Sequence, residues 1–297
     1  MGKYLLLFVA YLVSFVLVST LLPFESDTLQ QVSAGEEKTA ALALLVYCAV
    51  HTAIISYVMN KASWRGMPLI LGLIVATFGL QTFMPQIELF IFRSAFPSLS
   101  NYDIGMMLLR GLLDKVLFVP LAAIVLGKAR PNRATRLKSS PGFGDYFRQW
   151  QQPFLMLPAV YVVLYFAFGY YVAWQFAEVR SFYGVGTVDN GPLVLLQYVR
   201  GMLWIVFAFP VILMLQNRQR ELTIGLVLLL GLLVVASLVF PNPLMPASIR
   251  GPHFVEVLLS NSLYGFFISR LFVLKSPGRH AMLDFPERPN NSLQADV

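Results

Sequence analysis

Runs of about twenty apolar residues recur along the chain, and this recurrence constrains the fold more than any motif does. A hydrocarbon core ~30 Å thick is crossed by about 20 helical residues rising ~1.5 Å each. Eight segments meet that requirement: residues 4–23, 39–60, 67–84, 104–127, 153–176, 192–215, 222–240 and 253–274. Only 12% of the residues are charged and 57% are hydrophobic, where a soluble domain carries roughly 25% charge. No water-soluble surface can be built from 22 basic and 15 acidic residues beside 24 Phe, 13 Tyr and 4 Trp. The expected fold is an all-α polytopic integral membrane protein with eight transmembrane helices over residues 1–274. A tail, 275–297, follows and reads as disordered from Pro277, Pro286, Pro289 and Asn290-Asn291-Ser292.

The first run follows Lys3 but lacks a small-x-small cleavage site, so it reads as a retained anchor. Gly2 is no myristoylation signal, because Leu6 stands where Ser or Thr is needed. Orientation follows from the basic residues. With the N-terminus in the cytoplasm and eight alternating spans, fourteen Lys and Arg fall on the inner side, leaving Lys38, Arg93, Arg180 and Arg250 outside. That is the positive-inside pattern, with both termini cytoplasmic, and it fits a plasma membrane of the bacterial inner-membrane type. The formal charge of +7 is spread between apolar runs rather than gathered on a soluble face, which argues against nucleic acid as a partner. Membrane lipids are the expected partner.

The connections are too short to bury a core of their own. The longest, 128–152, is rich in Lys and Arg and ends in Phe143, Tyr146, Phe147 and Trp150. These read as an interfacial aromatic collar, with anionic lipid headgroups as the functional alternative. Ile87-Glu88-Leu89-Phe90-Ile91-Phe92 is too short to span and is expected at the interface or as a re-entrant turn. A lone cysteine, Cys48, excludes an internal disulfide framework.

Two similarities suggest internal duplication. Thr82-Phe83-Met84-Pro85 and Pro243-Leu244-Met245-Pro246 end the third and seventh runs, a register pairing runs 1–4 with 5–8 as a parallel repeat. Arg110-Gly111-x-Leu113 with Pro120, and Arg200-Gly201-x-Leu203 with Pro210, support a different register. Each of those prolines is expected to kink its helix.

Ionisable residues inside the runs carry the functional signal, because each costs about 2.5–3.5 kcal/mol at mid-bilayer even on the lenient insertion scale. They are His51, Arg110, Asp114, Lys115, Arg200, His253, Glu256 and Arg270, with Arg250 flanking. Arg270 is near a helix end and can snorkel. Arg110 and Asp114 stand at i, i+4 and are expected to pair, which turns Lys115 away toward another partner such as Glu256. His253, Glu256, Ser260 and Tyr264 form one polar stripe, which must face protein or water. Counting Arg110, Lys115, Arg200 and Arg250 against Asp114 and Glu256 leaves two positive charges unmatched. Guanidinium groups in such surroundings suit a phosphate or carboxylate.

The leading reading is therefore a protein that binds or translocates an anionic lipid, another anionic amphiphile or a small anion in a cavity open to the outer side. Arg110, Asp114, Lys115, Arg200, Arg250, His253, Glu256 and His51 are the candidate ligand-binding residues. A second reading is an intramembrane enzyme acting on a lipid-linked substrate, with His253 and Glu256 as acid and base. A third is a structural or accessory subunit whose charges lock helices together. No metal site is expected, since two histidines without H-E-x-x-H do not make one. The sequence holds no G-x-x-x-x-G-K-[ST], no G-x-S-x-G and no complete G-x-G-x-x-G, and Gly184-Val185-Gly186 lacks its third glycine. No cofactor is indicated.

Overall fold

In a computed structural model, residues 2–25, 36–131, 143–184, 190–241 and 244–272 are described. The basic stretch 132–142, the loop residue Gly186, Pro243 and the tail 275–297 lie outside them, as do the side chains of Phe143, Tyr146 and Phe147. The described residues are helical and contain no strand. The long elements are α1 (Gly2–Leu21), α2 (Glu37–Lys61), α3 (Met67–Ile91), α4 (Asn101–Val125) and α5 (Phe143–Tyr171). After a short α6 (Ala177–Tyr183) come α7 (Asn190–Met214), α8 (Gln219–Val227) and α9 (Ala247–Leu271).

Five helical stretches are long and apolar enough to cross a membrane: Gly2–Leu21, Glu37–Lys61, Met67–Ile91, Gln149–Gln175 and Gly191–Met214. They fit a membrane-integral protein. The helices α4 and α9 are equally long at 25 residues, but each carries charge in its interior. The run expected over 222–240 is divided into α8, a π-helical turn at Leu228–Leu233 and a 3-10 turn at Ala236–Val239.

Burial is inverted relative to a soluble protein. Asp114, Lys115, Arg200 and Glu256 are buried, while Leu5, Val9, Val13 and Leu17 along α1 are exposed. Such a helix bundle keeps its backbone bonds internal and turns an apolar coat outward, which is what a lipid solvent demands.

The helix α1 packs on α2 and α4, and α3 packs on α4 and α7. Further along the chain α5 packs on α7 and α9, and α8 with its π-turn packs on α9 and reaches α2. Small residues permit the tightest crossings. A Cβ on Gly265 would stand 2.7 Å from the Leu226 carbonyl oxygen, and one on Gly201 would stand 2.8 Å from Pro158 Cα.

Local chemistry explains the ends. Ser100 caps α4 by accepting the Asp103 amide at 3.0 Å, while Asp103 accepts the Ser100 amide at 3.2 Å, a reciprocal capping box. At the opposite end of the bundle, cations close helix C-termini. Lys128 Nζ donates to the carbonyls of Asn60 (3.2 Å) and Ala62 (3.1 Å), and Arg218 Nη1 donates to that of Lys61 (2.9 Å). Burial, with Arg65 and Arg218 close by, draws the Lys128 ammonium below its usual range.

Several expectations are corrected. Ile87–Ile91 is not a separate re-entrant turn, because it continues α3 through a π-turn at Gly79–Phe83. Trp150 does not join an interfacial collar; it is buried against Phe209 and Phe272, with ring centroids 5.4 and 5.5 Å away. Both α4 and α7 stay helical through Pro120 and Pro210, and π-turns interrupt the third and seventh segments.

Candidate functional site

The polar residues of the helix interiors collect in two places. The first lies where α1, α2 and α4 meet. Lys115 Nζ donates to Asp114 Oδ2 at 2.6 Å and to the Tyr11 hydroxyl at 3.0 Å, and that hydroxyl donates to Asp114 Oδ2 at 2.7 Å. His51 stacks on Tyr11 at 5.0 Å and bonds the Tyr47 carbonyl through Nδ1 at 2.8 Å. Gln81, from the π-turn of α3, donates to the Tyr47 hydroxyl at 2.6 Å.

This geometry overturns the pairing expected along α4. Asp114 takes its neighbour Lys115 rather than Arg110, and Lys115 does not reach Glu256. The reason is directional, since helical side chains lean toward the N-terminus of their helix. Arg110 therefore extends away from Asp114, to the end of α1. There Nε donates to the Leu22 carbonyl at 2.5 Å, Nη2 donates to that of Ser19 at 3.2 Å, and the guanidinium lies 3.6 Å above the Phe24 ring.

The second place is a cavity of about 150 Å³ between α3, α5, α6, α7 and α9. Arg200 enters from α7 and places Nη1 2.6 Å from Glu88 Oε1 on α3 and 3.0 Å from Gln197 Oε1. From α9, His253 Nδ1 lies 3.1 Å from Glu256 Oε2, with Ser260 and Asn261 a turn further on. The walls are aromatic: Phe92, Tyr161, Tyr165, Trp174, Tyr183 and Trp204. Burial, together with Glu88 and Glu256 nearby, pushes the Tyr183 phenol well above its ordinary range, so it remains a donor. Arg200 is 3% exposed, and its Nε has no hydrogen-bond partner among the described residues.

Of the eight sequence candidates, Arg200, His253 and Glu256 line this cavity. Asp114, Lys115 and His51 belong to the first cluster, and Arg110 stands apart from both. Arg250 is half-buried and donates to its own turn, to the Met245 carbonyl at 3.3 Å. Glu88 lowers the expected excess of two cations to one: Lys115 has Asp114 and Arg200 has Glu88, while Arg110 and Arg250 donate to backbone carbonyls. Glu88 lines the cavity and pairs with Arg200 but is absent from the sequence candidates. A carboxylate within Ile87–Phe92, one turn beyond Pro85, was its available signal. The tyrosines Tyr11, Tyr161 and Tyr165 gave none, because aromatic residues are everywhere in this chain.

The cavity offers a buried guanidinium with a free donor edge, two carboxylates and an imidazole in aromatic surroundings. No group of three or more His, Cys, Asp or Glu suited to a metal occurs among the described residues. Comparisons with models of known families, with curated proteins and with solved structures find no match.

Proposed function

We propose that this is an eight-span membrane protein with both termini cytoplasmic, and that it binds or translocates an acidic ligand in the cavity at Arg200. The topology is supported by the basic residues and by the capping of helix ends with Lys128 and Arg218 at one face of the bundle. A parallel duplication of spans 1–4 and 5–8 is supported by packing. The contacts of α1 with α2 and α4 parallel those of α5 with α7 and α9, and a π-turn interrupts the third and seventh segments alike. In this topology Glu88, Trp174, Tyr183 and His253 lie toward the outer side, where the cavity opens.

The observation that carries the ligand reading is Arg200, an almost wholly buried guanidinium at a cavity wall with Nε unpaired. Buried cations seek anions, and the planar guanidinium favours carboxylate or phosphate. Size narrows the class. Pockets that enclose a whole drug-sized ligand measure about 300–1,000 Å³, so a cavity of about 150 Å³ takes a small anion or only the head of an amphiphile. Charge narrows it further. With neutral His253, the fixed charges of Arg200, Glu88 and Glu256 sum to minus one. An entering anion is then accompanied by a proton, and His253 beside Glu256 is the group placed to take it.

The test is extraction of purified protein and mass spectrometry of what co-purifies. Wild type is expected to retain an acidic compound that Arg200→Gln loses by tenfold or more, in line with ~1.5–3 kcal/mol for a charge-assisted bond. Equal retention by both proteins removes the reading. The pairing of His253 with Glu256 in the same cavity favours one alternative, acid–base chemistry on a lipid-linked substrate. Turnover in detergent, without a gradient and abolished in Glu256→Gln, would favour that enzyme.

A further inference from the structure

A second opening lies on the other side of the molecule, in the half of the bundle that contains the Asp114–Lys115 pair. Between α1 and α2 runs a groove of about 660 Å³, lined by Tyr4, Phe8, Ala49, Ala53, Tyr57 and Lys61, with Thr52 and Ser56 at its base. Its lining follows α2 from Ala49 to Lys61, a rise of ~18 Å at 1.5 Å per residue.

Two features separate it from an ordinary seam between helices. Thr52 and Ser56 are 5% and 1% exposed, and their hydroxyls have no hydrogen-bond partner among the described residues. A helical Ser or Thr facing hydrocarbon normally returns its hydroxyl to the i−4 carbonyl, as Thr77 does to Leu73 at 2.6 Å. Leaving two such groups unsatisfied in an apolar medium is costly. The second feature is the order of chemistry along the groove. Ala49 and Ala53 are exposed and leave room beside the hydroxyls. Polar groups then rise toward the rim, where Asn60 Nδ2 donates to the Tyr4 hydroxyl at 3.2 Å and Lys61 brings a cation.

We propose that this groove holds one anionic phospholipid. Its phosphate lies at Lys61, its ester carbonyls accept from the Ser56 and Thr52 hydroxyls, and its chains lie over Ala53, Ala49 and Phe8. The vertical order of cation, hydroxyl donors and small apolar residues matches the order of phosphate, ester and hydrocarbon in a phospholipid. A single negative charge complements Lys61, whose ammonium forms no ion pair among the described residues. The site does not depend on the Arg200 cavity, and its ligand enters from the bilayer.

Delipidated full-length protein is exposed in detergent to dioleoyl phosphatidylglycerol, dioleoyl phosphatidylcholine or inorganic phosphate, and bound adducts are counted by native mass spectrometry. One phosphatidylglycerol is expected to bind per chain, roughly fivefold more strongly than phosphatidylcholine, the preference a single interfacial lysine supplies. Lys61→Gln abolishes the preference, and Ala53→Trp fills the groove and abolishes the adduct. Arg200→Gln leaves the adduct intact, which separates this site from the cavity. An adduct unchanged in Ala53→Trp overturns the proposal, as does equal retention of the two lipids by wild type. Binding of free phosphate at the same affinity also overturns it, because the groove would then be reading no lipid. An Ala53→Trp protein that fails to fold is replaced by Ala49→Leu, judged by the same counts.

Discussion

Lys115 and Arg200 are equally withdrawn from solvent, at 1% and 3% exposure, yet their surroundings differ. Lys115 is held by Asp114 and Tyr11 in a knot of rings, with Tyr11 against Phe118 at 4.7 Å and Tyr47 against His51 at 4.0 Å. Neither Lys115 nor Asp114 lines the cavity or the groove described above. Arg200 borders empty space and meets a carboxylate whose own side chain is 26% exposed. A buried charge whose partner is local and enclosed tells of helix assembly. A buried charge that faces a void is the feature on which the proposed ligand reading rests.

The largest effect expected from this contrast is on stability. Lys115→Met leaves the Asp114 carboxyl without its cation in a closed interior, at a cost of about 3–5 kcal/mol. The double variant Asp114→Asn with Lys115→Met should recover most of that loss, since replacing both partners removes the stranded charge. Thermal unfolding in detergent, followed by tryptophan fluorescence, measures both. The double variant should also retain the acidic ligand as wild type does. If it loses the ligand while remaining folded, the two regions are one functional unit and the contrast collapses.

A smaller effect concerns protons at the cavity. The groups facing His253 are Glu256 from its own helix, Glu88 from α3, Arg200 from α7 and Tyr183 from α6. If the complex holds a proton that the free site lacks, affinity is greatest at low pH. It then falls by up to about tenfold per pH unit once the free site no longer holds that proton. His253→Gln should bind more weakly at low pH and show a flat profile between pH 5 and 8. Equilibrium binding of the compound recovered from wild type reads this directly, and an unchanged slope in the variant excludes His253 as the proton carrier.

What was legible in the sequence follows the range of the forces involved. The apolar runs required only composition and length, so α1, α2, α4 and α7 appear close to their expected positions, whereas α5 begins ten residues before its run. The π-turns at Gly79–Phe83 and Leu228–Leu233 were not legible, because they depend on how neighbouring helices meet. Arg200, His253 and Glu256 stood out as costly residues in apolar segments, and they share a cavity. Their grouping with Arg110 and Lys115 did not survive, because a helical spacing says which face a residue occupies and nothing about which neighbour that face meets. Glu88 was missed for the complementary reason: its segment looked too short to be membrane-spanning until the π-turn joined it to α3.

Arg110 provides the finest test of the contrast, since by sequence it resembles Arg200. Each precedes a glycine and lies ten residues before a proline. Their environments differ, because Arg110 closes the end of α1 by bonding the Leu22 and Ser19 carbonyls and covering Phe24. Carbonyls at a helix end near the interface can turn to water, and the cation–ring contact is worth ~0.5–1 kcal/mol in an exposed setting. Arg110→Gln should therefore cost about 1 kcal/mol in stability and leave the co-purified acidic compound at its wild-type amount. Matching depletion in Arg110→Gln and Arg200→Gln would mean that the shared motif, rather than the separate surroundings, governs what these arginines do.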